Sequence, residues 1–208
     1  PRKNGNSTFL AKEVAKGVID GGGTVDFITL ADLDIHPCLA CNQCLNPATP
    51  SPATPPASDP AQGSADSQQT PPSTSVMDNR CVQKDDMAGL YAKVRESSAM
   101  VLASPVYWFN LSGQLKVFID RLYAMQENNT YAFTGKKIGL VLTYADNDIF
   151  ASGGVNAARC IQDICTFSRA TFLGLFHASA DKPGDVTNDK GLIKRAHDYG
   201  ISIANALD

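Results

Sequence analysis

The sequence has no apolar run long enough to cross a bilayer, and its first residues, PRKNGNS, lack the apolar stretch of a signal peptide. Neither a membrane span nor a secretory signal is expected, which makes a cytoplasmic protein the expectation. There is also no cluster of Lys and Arg. With 18 basic against 21 acidic residues and a net charge of −3, the chain lacks the electrostatic footprint of a nucleic-acid binder. No P-loop pattern, no GxSxG and no HExxH occurs, so phosphate-loop, serine-hydrolase and zincin chemistry have no starting point. The three histidines are isolated from one another and read as structural or surface residues. Gly21-Gly22-Gly23 is no dinucleotide fingerprint either, because it ends a helical pattern and precedes a strand pattern.

What is present is one α/β unit. At 208 residues and 43% hydrophobic, the chain can build one substantial core. Leu10, Val14 and Val18 are spaced as on a helix face, and TVDFITL over Thr24–Leu30 alternates as a strand does. Asp85 is placed to cap a helix through Met87, Leu90, Tyr91 and Val94. Met100–Ala103 reads as a buried strand that breaks at Ser104-Pro105, and a helix follows Ser112-Gly113 with Leu115, Phe118, Ile119 and Leu122 on one face. A strand over Lys137–Leu142, a helix over Gly154–Ser168, a strand over Thr171–His177 and a closing helix over Asp189–Leu207 complete the alternation. Such alternation predicts a doubly wound parallel sheet with helices on both faces.

Between residues 46 and 77 the composition changes to Pro, Ser, Thr, Ala and Gln, with eight of the twelve prolines. This stretch lacks the apolar residues to offset the entropy of ordering it, so a disordered insertion within a single domain 1–208 is expected. Cys38, Cys41 and Cys44 precede it and Cys81 follows it. In a non-secreted chain of this size, such spacing points to metal, cluster or redox chemistry rather than to disulfides. A metal, a cluster and free redox-active thiols all remain open. Cys160 and Cys165 do not share a helix face and read as core.

Two stretches suggest a ligand site. PRKNGNST places Arg2, Asn6, Ser7 and Thr8 where a helix begins, a natural place for a phosphate, although the same residues would make an ordinary helix start. The consecutive aromatics Tyr107, Trp108 and Phe109 follow a strand, where the crevice of an open α/β sheet would hold a flat aromatic ligand.

In PRKNGNST, in CLACNQC with the later RCVQKDDM, in SPVYWFNLSGQLKVFIDR and in TYADNDIFASGGVNA, the chain resembles the flavodoxin-like NAD(P)H-dependent FMN reductases, and among them the iron-sulfur flavoproteins. The resemblance implies the strand order 2-1-3-4-5 and FMN as cofactor, with NAD(P)H as donor. It implies that Arg2, Asn6, Ser7 and Thr8 hold the FMN phosphate, and that Pro105, Val106, Tyr107, Trp108 and Asn110 lie along the ribityl chain and ring. Thr143, Tyr144, Ala145, Asp146 and Gly153 would complete the ring site, and Cys38, Cys41, Cys44 and Cys81 would ligate a [4Fe–4S] cluster. The long connection to Cys81 costs roughly 2 kcal/mol of loop closure, small beside four metal–thiolate bonds.

The family also requires a central strand 1 just before PRKNGNST. None is present, so an N-terminally truncated domain is expected. The expected activity is electron transfer from NAD(P)H or a protein donor to a flavin, quinone or similar acceptor by a homo-oligomer. A non-turnover carrier joining FMN to [4Fe–4S], and a zinc-stabilised interaction protein without flavin, are the rival expectations.

Overall fold

The computed structural model describes Arg2 and residues 4–45 and 81–207; the insertion expected over 46–77 lies outside them. Helix α1 spans Asn6–Asp20 and α2 Met87–Glu96. Strand β1 (Ala99–Tyr107) turns into the short β2 (Asn110–Leu111), followed by α3 (Gly113–Arg121). Then come β3 (Lys137–Tyr144), α4 (Gly154–Ser168), β4 (Thr171–Ser179) and α5 (Lys190–Asn205).

Strands β1, β3 and β4 are parallel, with β3 in the middle and β2 antiparallel on the C-terminal end of β1. Every residue of β3 after Lys137 is buried, as a strand covered on both faces must be. Its side chains alternate between two cores. Ile138, Leu140 and Leu142 join Met87, Leu115, Phe118 and Ile161 of the α2, α3 and α4 layer. Val141 joins Leu10, Val14, Ala196 and Ile203 of the α1 and α5 layer. The doubly wound α/β architecture expected from the alternation is therefore present.

Helices α1 and α5 touch backbone to backbone at a pair of glycines. A Cβ on Gly17 would lie 1.9 Å from the His197 carbonyl oxygen, and one on Gly200 2.0 Å from that of Val14, so neither position has room for a side chain.

Two expectations need correction. Residues 24–29 form no strand, and Leu30–Asp32 is a 3₁₀ turn. The pattern TVDFITL fits a strand, but a strand exists only through its ladder, and no described segment pairs with it. The break after Ala103 is also too early. β1 continues through Ser104 and Pro105, paired with Leu142 and Thr143, because an edge strand tolerates a proline that a central one would not. Elsewhere the expected boundaries hold to within a residue or two.

Candidate functional site

The edge of β1 facing away from β3 is unpaired from Ala99 to Pro105 among the described residues. Alongside it runs a cavity of about 450 Å³. Its far wall is the segment 24–31, and its two faces are Val14, Val18 and Ile203 from one core and Val94, Leu115 and Phe118 from the other. The cavity is a slot between the two helical layers. It sits where a middle strand would lie. Lys93 of α2 and Asp26, both on its lining, form an ion pair.

At the end of this slot nearest Pro105 lie Arg2, Ser7, Thr8 and Ser112. Helix α1 starts there after Gly5 with no side-chain cap, so its first-turn N–H groups and partial positive charge face the space that Ser7 and Thr8 line. The Arg2 carbonyl accepts the Gly5 N–H at 3.1 Å and the Thr8 hydroxyl at 3.4 Å, drawing the loop into a turn over the helix start. Asn6 points elsewhere. Its side-chain amide donates to the Lys182 carbonyl at 2.8 Å and accepts the Gly184 N–H at 3.0 Å, tying α1 to the loop before α5.

The aromatic loop is a tight hairpin. Val106 pairs with Leu111 and Tyr107 with Asn110, leaving Trp108 and Phe109 as the two turn residues, at φ 47° and 63°. A turn with both central residues left-handed ordinarily takes Asn-Gly, because a side chain is strained there. Trp108 is 94% exposed. The loop is anchored from below by buried Ser104, whose hydroxyl accepts the Ser112 N–H at 2.9 Å and donates to the Pro105 carbonyl at 2.7 Å.

The loop after β3 meets this hairpin. Gly153 is left-handed at φ 72°, and a Cβ on it would fall 2.5 Å from the Phe109 Cβ. Thr143 and Tyr144 are buried at the strand end while Ala145 and Asp146 are exposed. The Tyr144 hydroxyl lies 2.7 Å from Nδ1 of His177 on β4. Burial, reinforced by the nearby Asp148 carboxylate, pushes the Tyr144 phenol up, and burial pushes the His177 imidazole down, so both are neutral at pH 7. Of the residues expected to hold flavin, the structure thus gathers Arg2, Ser7, Thr8 and Pro105 at the slot end and brings the hairpin against Gly153. Asn110 turns its side-chain oxygen to its neighbour, the Leu111 N–H, at 2.8 Å.

Cys38, Cys41, Cys44 and Cys81 line one small concavity together with Arg121. Cys38 and Cys41 are exposed, Cys44 and Cys81 half-buried. Burial raises the Cys44 thiol, and the charges of Cys81, Cys41 and Cys38 raise it further, as expected of thiols held close together. Ala40 and Asn42 give the loop two left-handed kinks, at φ 52° and 56°. Among the described residues no three Cys, His, Asp or Glu side chains are already arranged around a metal position. The donor set, four thiols on one concavity, nonetheless suits a soft ion or an iron–sulfur cluster. Cys165 is buried as expected, whereas Cys160 is only partly so.

Arg121 escaped the sequence reading. It is 1% exposed, ion-paired through both guanidinium Nη atoms to Asp85, and also donates to the His36 carbonyl at 2.8 Å and to Cys81 Sγ at 3.4 Å. A cation on the apolar stripe of α3, between Phe118 and Leu122, was the signal for it. Asp86, not Asp85 as expected, occupies the N-cap position of α2, while the Asp85 carboxylate accepts the Met87 N–H at 3.2 Å. Burial would raise the Asp85 carboxyl, but the Arg121 hydrogen bond and the His36 N–H outweigh this and hold it below the ordinary range.

The family model for NADPH-dependent FMN reductase matches residues 1–181. The chain belongs to that family. It is 28% identical over 210 residues to an iron-sulfur flavoprotein of Archaeoglobus fulgidus, covering 100% of this chain and 77% of that protein. Another iron-sulfur flavoprotein, from Methanocaldococcus jannaschii, is matched over 47% of its length at 28% identity. In fold it resembles the NAD(P)H:quinone oxidoreductase of Methanothermobacter marburgensis, with TM-score 0.61 and 14% identity over 98% of this chain and 91% of that one. The flavodoxin-like α/β fold, FMN as cofactor and an oxidoreductase activity follow from family membership. No helix among the described residues is long and apolar enough to cross a membrane.

Proposed function

We propose that this chain is an FMN-dependent oxidoreductase that takes electrons from NAD(P)H or a protein donor and passes them to a flavin, quinone or similar small acceptor. The observation carrying this reading is the meeting of an uncapped helix start, Arg2, Ser7 and Thr8, with the end of a slot whose β1 edge continues into the exposed aromatic hairpin. Bound there, FMN supplies hydride and one-electron transfer. The chain's own part is to bind and orient it. Ser7, Thr8 and Arg2 would hold the phosphate, Pro105 and Val106 would border the ribityl chain, and Trp108 and Tyr107 would present rings to the isoalloxazine. Thr143, Tyr144, Ala145, Asp146 and Gly153 would close the far side, with the Tyr144–His177 pair holding the strand end neutral and fixed.

A second reading is favoured by the four cysteines sharing one concavity: an electron carrier that joins FMN to a [4Fe–4S] cluster held by Cys38, Cys41, Cys44 and Cys81. We place the protein in the cytoplasm and, from the exposed Tyr107, Trp108, Phe109 and Phe150, read it as a homo-oligomer. Steady-state NAD(P)H oxidation with FMN and a series of quinones tests the enzyme. Turnover supports it, whereas flavin that is reduced only once per protein favours the carrier. FAD as the bound flavin would contradict both, since the helix start offers one phosphate site.

A further inference from the structure

We propose that Arg121 is the positioning residue of the cysteine centre, clamping its two chain segments together and setting the charge at Cys81. The inference rests on reading the four cysteines as a metal or cluster centre. Cys38, Cys41 and Cys44 stand on one segment and Cys81 on another, with the residues 46–80 between them in the chain. The segments are joined by the Gln83 side-chain amide, which donates to the Pro37 carbonyl at 3.1 Å, and by a reciprocal pair between Asp34 and Asp86, and the ties that also reach a thiol run through Asp85 and Arg121. One Nη donates to the His36 carbonyl, two residues before Cys38; the other reaches Cys81 Sγ; both bind the Asp85 carboxylate. Asp85 in turn accepts the His36 N–H at 3.0 Å. A single guanidinium therefore touches both segments and one of the thiols.

Stability alone does not account for this arrangement, because a buried ion pair is commonly no more stabilising than apolar residues of equal volume. What only the guanidinium offers is a rigid fork that serves a carboxylate, a carbonyl and a sulfur at once. A lysine ammonium, compact and with no fixed plane, cannot span the three. The Arg121 Nε–H is buried without an acceptor among the described residues, so the fork still holds an unspent donor. Hydrogen bonds to cluster sulfurs and nearby positive charge favour the more electron-rich state, which raises a reduction potential.

The experiment compares wild type with Arg121→Lys after anaerobic reconstitution with ferrous iron and sulfide, reading cluster content, iron loss to a chelator and the cluster's midpoint potential. In the variant we expect iron loss about tenfold faster, the scale of changes around a metal's ligands, and a potential displaced to more negative values. A purely structural role would speed iron loss and leave the potential where it was. A variant that holds a full cluster at the wild-type potential overturns the proposal while leaving the cluster reading intact. Should Arg121→Lys fail to fold, Arg121→Gln combined with Asp85→Asn removes the charge while keeping a neutral hydrogen-bonded pair, and must show the same displacement. If wild type takes up no cluster, the cluster reading fails by itself and Co²⁺ becomes the probe. Arg121→Lys must then weaken Co²⁺ binding and the thiolate-to-cobalt absorption; unchanged values, or no Co²⁺ uptake by wild type, overturn the proposal.

Discussion

The slot beside β1 makes a quantitative prediction about what would fill it. Arg2 lies at the end of the slot near Pro105, so residues added ahead of Pro1 would run along β1 in parallel and arrive at the loop before α1 from the right direction. A segment of six β-branched residues would meet the open edge of β1 and be covered on both faces by the two cores. Roughly six hydrogen bonds at about 1 kcal/mol each, and six side chains at about 2 kcal/mol each, favour the docked strand by about 18 kcal/mol. Ordering the six residues, backbone and side chain, opposes it by about 12 kcal/mol. The difference, about 6 kcal/mol, corresponds to a rise of about 12 to 24 °C in thermal midpoint for a domain of this size. Circular dichroism melts, FMN titration and hydrogen exchange at the β1 amides check it. The extended chain is expected to melt higher and to bind FMN more tightly than the 208-residue chain. The same extension with a proline at its centre should give neither gain. A chain that is already soluble, yellow and cooperatively unfolding, and that gains nothing from the extension, refutes the reasoning.

Trp108→Ala should weaken FMN binding by about 0.5–1.5 kcal/mol, roughly 2- to 13-fold in Kd, and more than Phe109→Ala, since Trp108 is free in solvent while Phe109 rests on Gly153. Fluorescence titration of the flavin measures both, and equal losses would show the hairpin has been assigned the wrong ring. Replacing residues 46–77 with a short linker should leave flavin content and thermal midpoint unchanged, and a fall in either would mean that the segment contributes to the fold or the site. Asp85→Asn should cost about 3–5 kcal/mol at pH 7 by leaving the buried Arg121 charge without its partner. Because the folded-state carboxyl lies below its ordinary 3.8, this contribution is complete above that value and disappears as pH falls through the lower one. Urea unfolding at pH 7 and near pH 3 should show the gap between wild type and variant closing; a gap that persists at low pH would contradict the assignment.

Where helices and buried strands have their own periodicity, the fold could be read from residues alone: α4 runs from Gly154 to Ser168 as expected. The segment 24–30 was misread because alternation states what a segment can become, while pairing decides whether it does. The hairpin at Trp108 and Phe109 was invisible for the opposite reason. Two bulky aromatics are poor turn residues, and nothing in their chemistry announces a left-handed backbone. For the candidate site, the gathering of Arg2, Ser7 and Thr8 at the start of α1 and that of the four cysteines were legible in motif and spacing, but the place of Asn6 was not, since only the fold reveals that Lys182 and Gly184 occupy its amide. Arg121 depends on a partner 36 positions away, a relation no local pattern displays.

The left-handed hairpin tip also carries information about descent. Holding Trp108 and Phe109 in that conformation costs about 1–2 kcal/mol per residue, an expense that Asn-Gly at the same positions would largely remove. Selection for stability alone therefore pushes steadily against these two aromatics. Homologues that still use the ligand should keep a ring at the tip despite that pressure, and lineages that have lost the ligand should drift toward Asn, Asp and Gly there. With the tip in contact with flavin as proposed, the composition of this turn across homologues would record which of them still bind it.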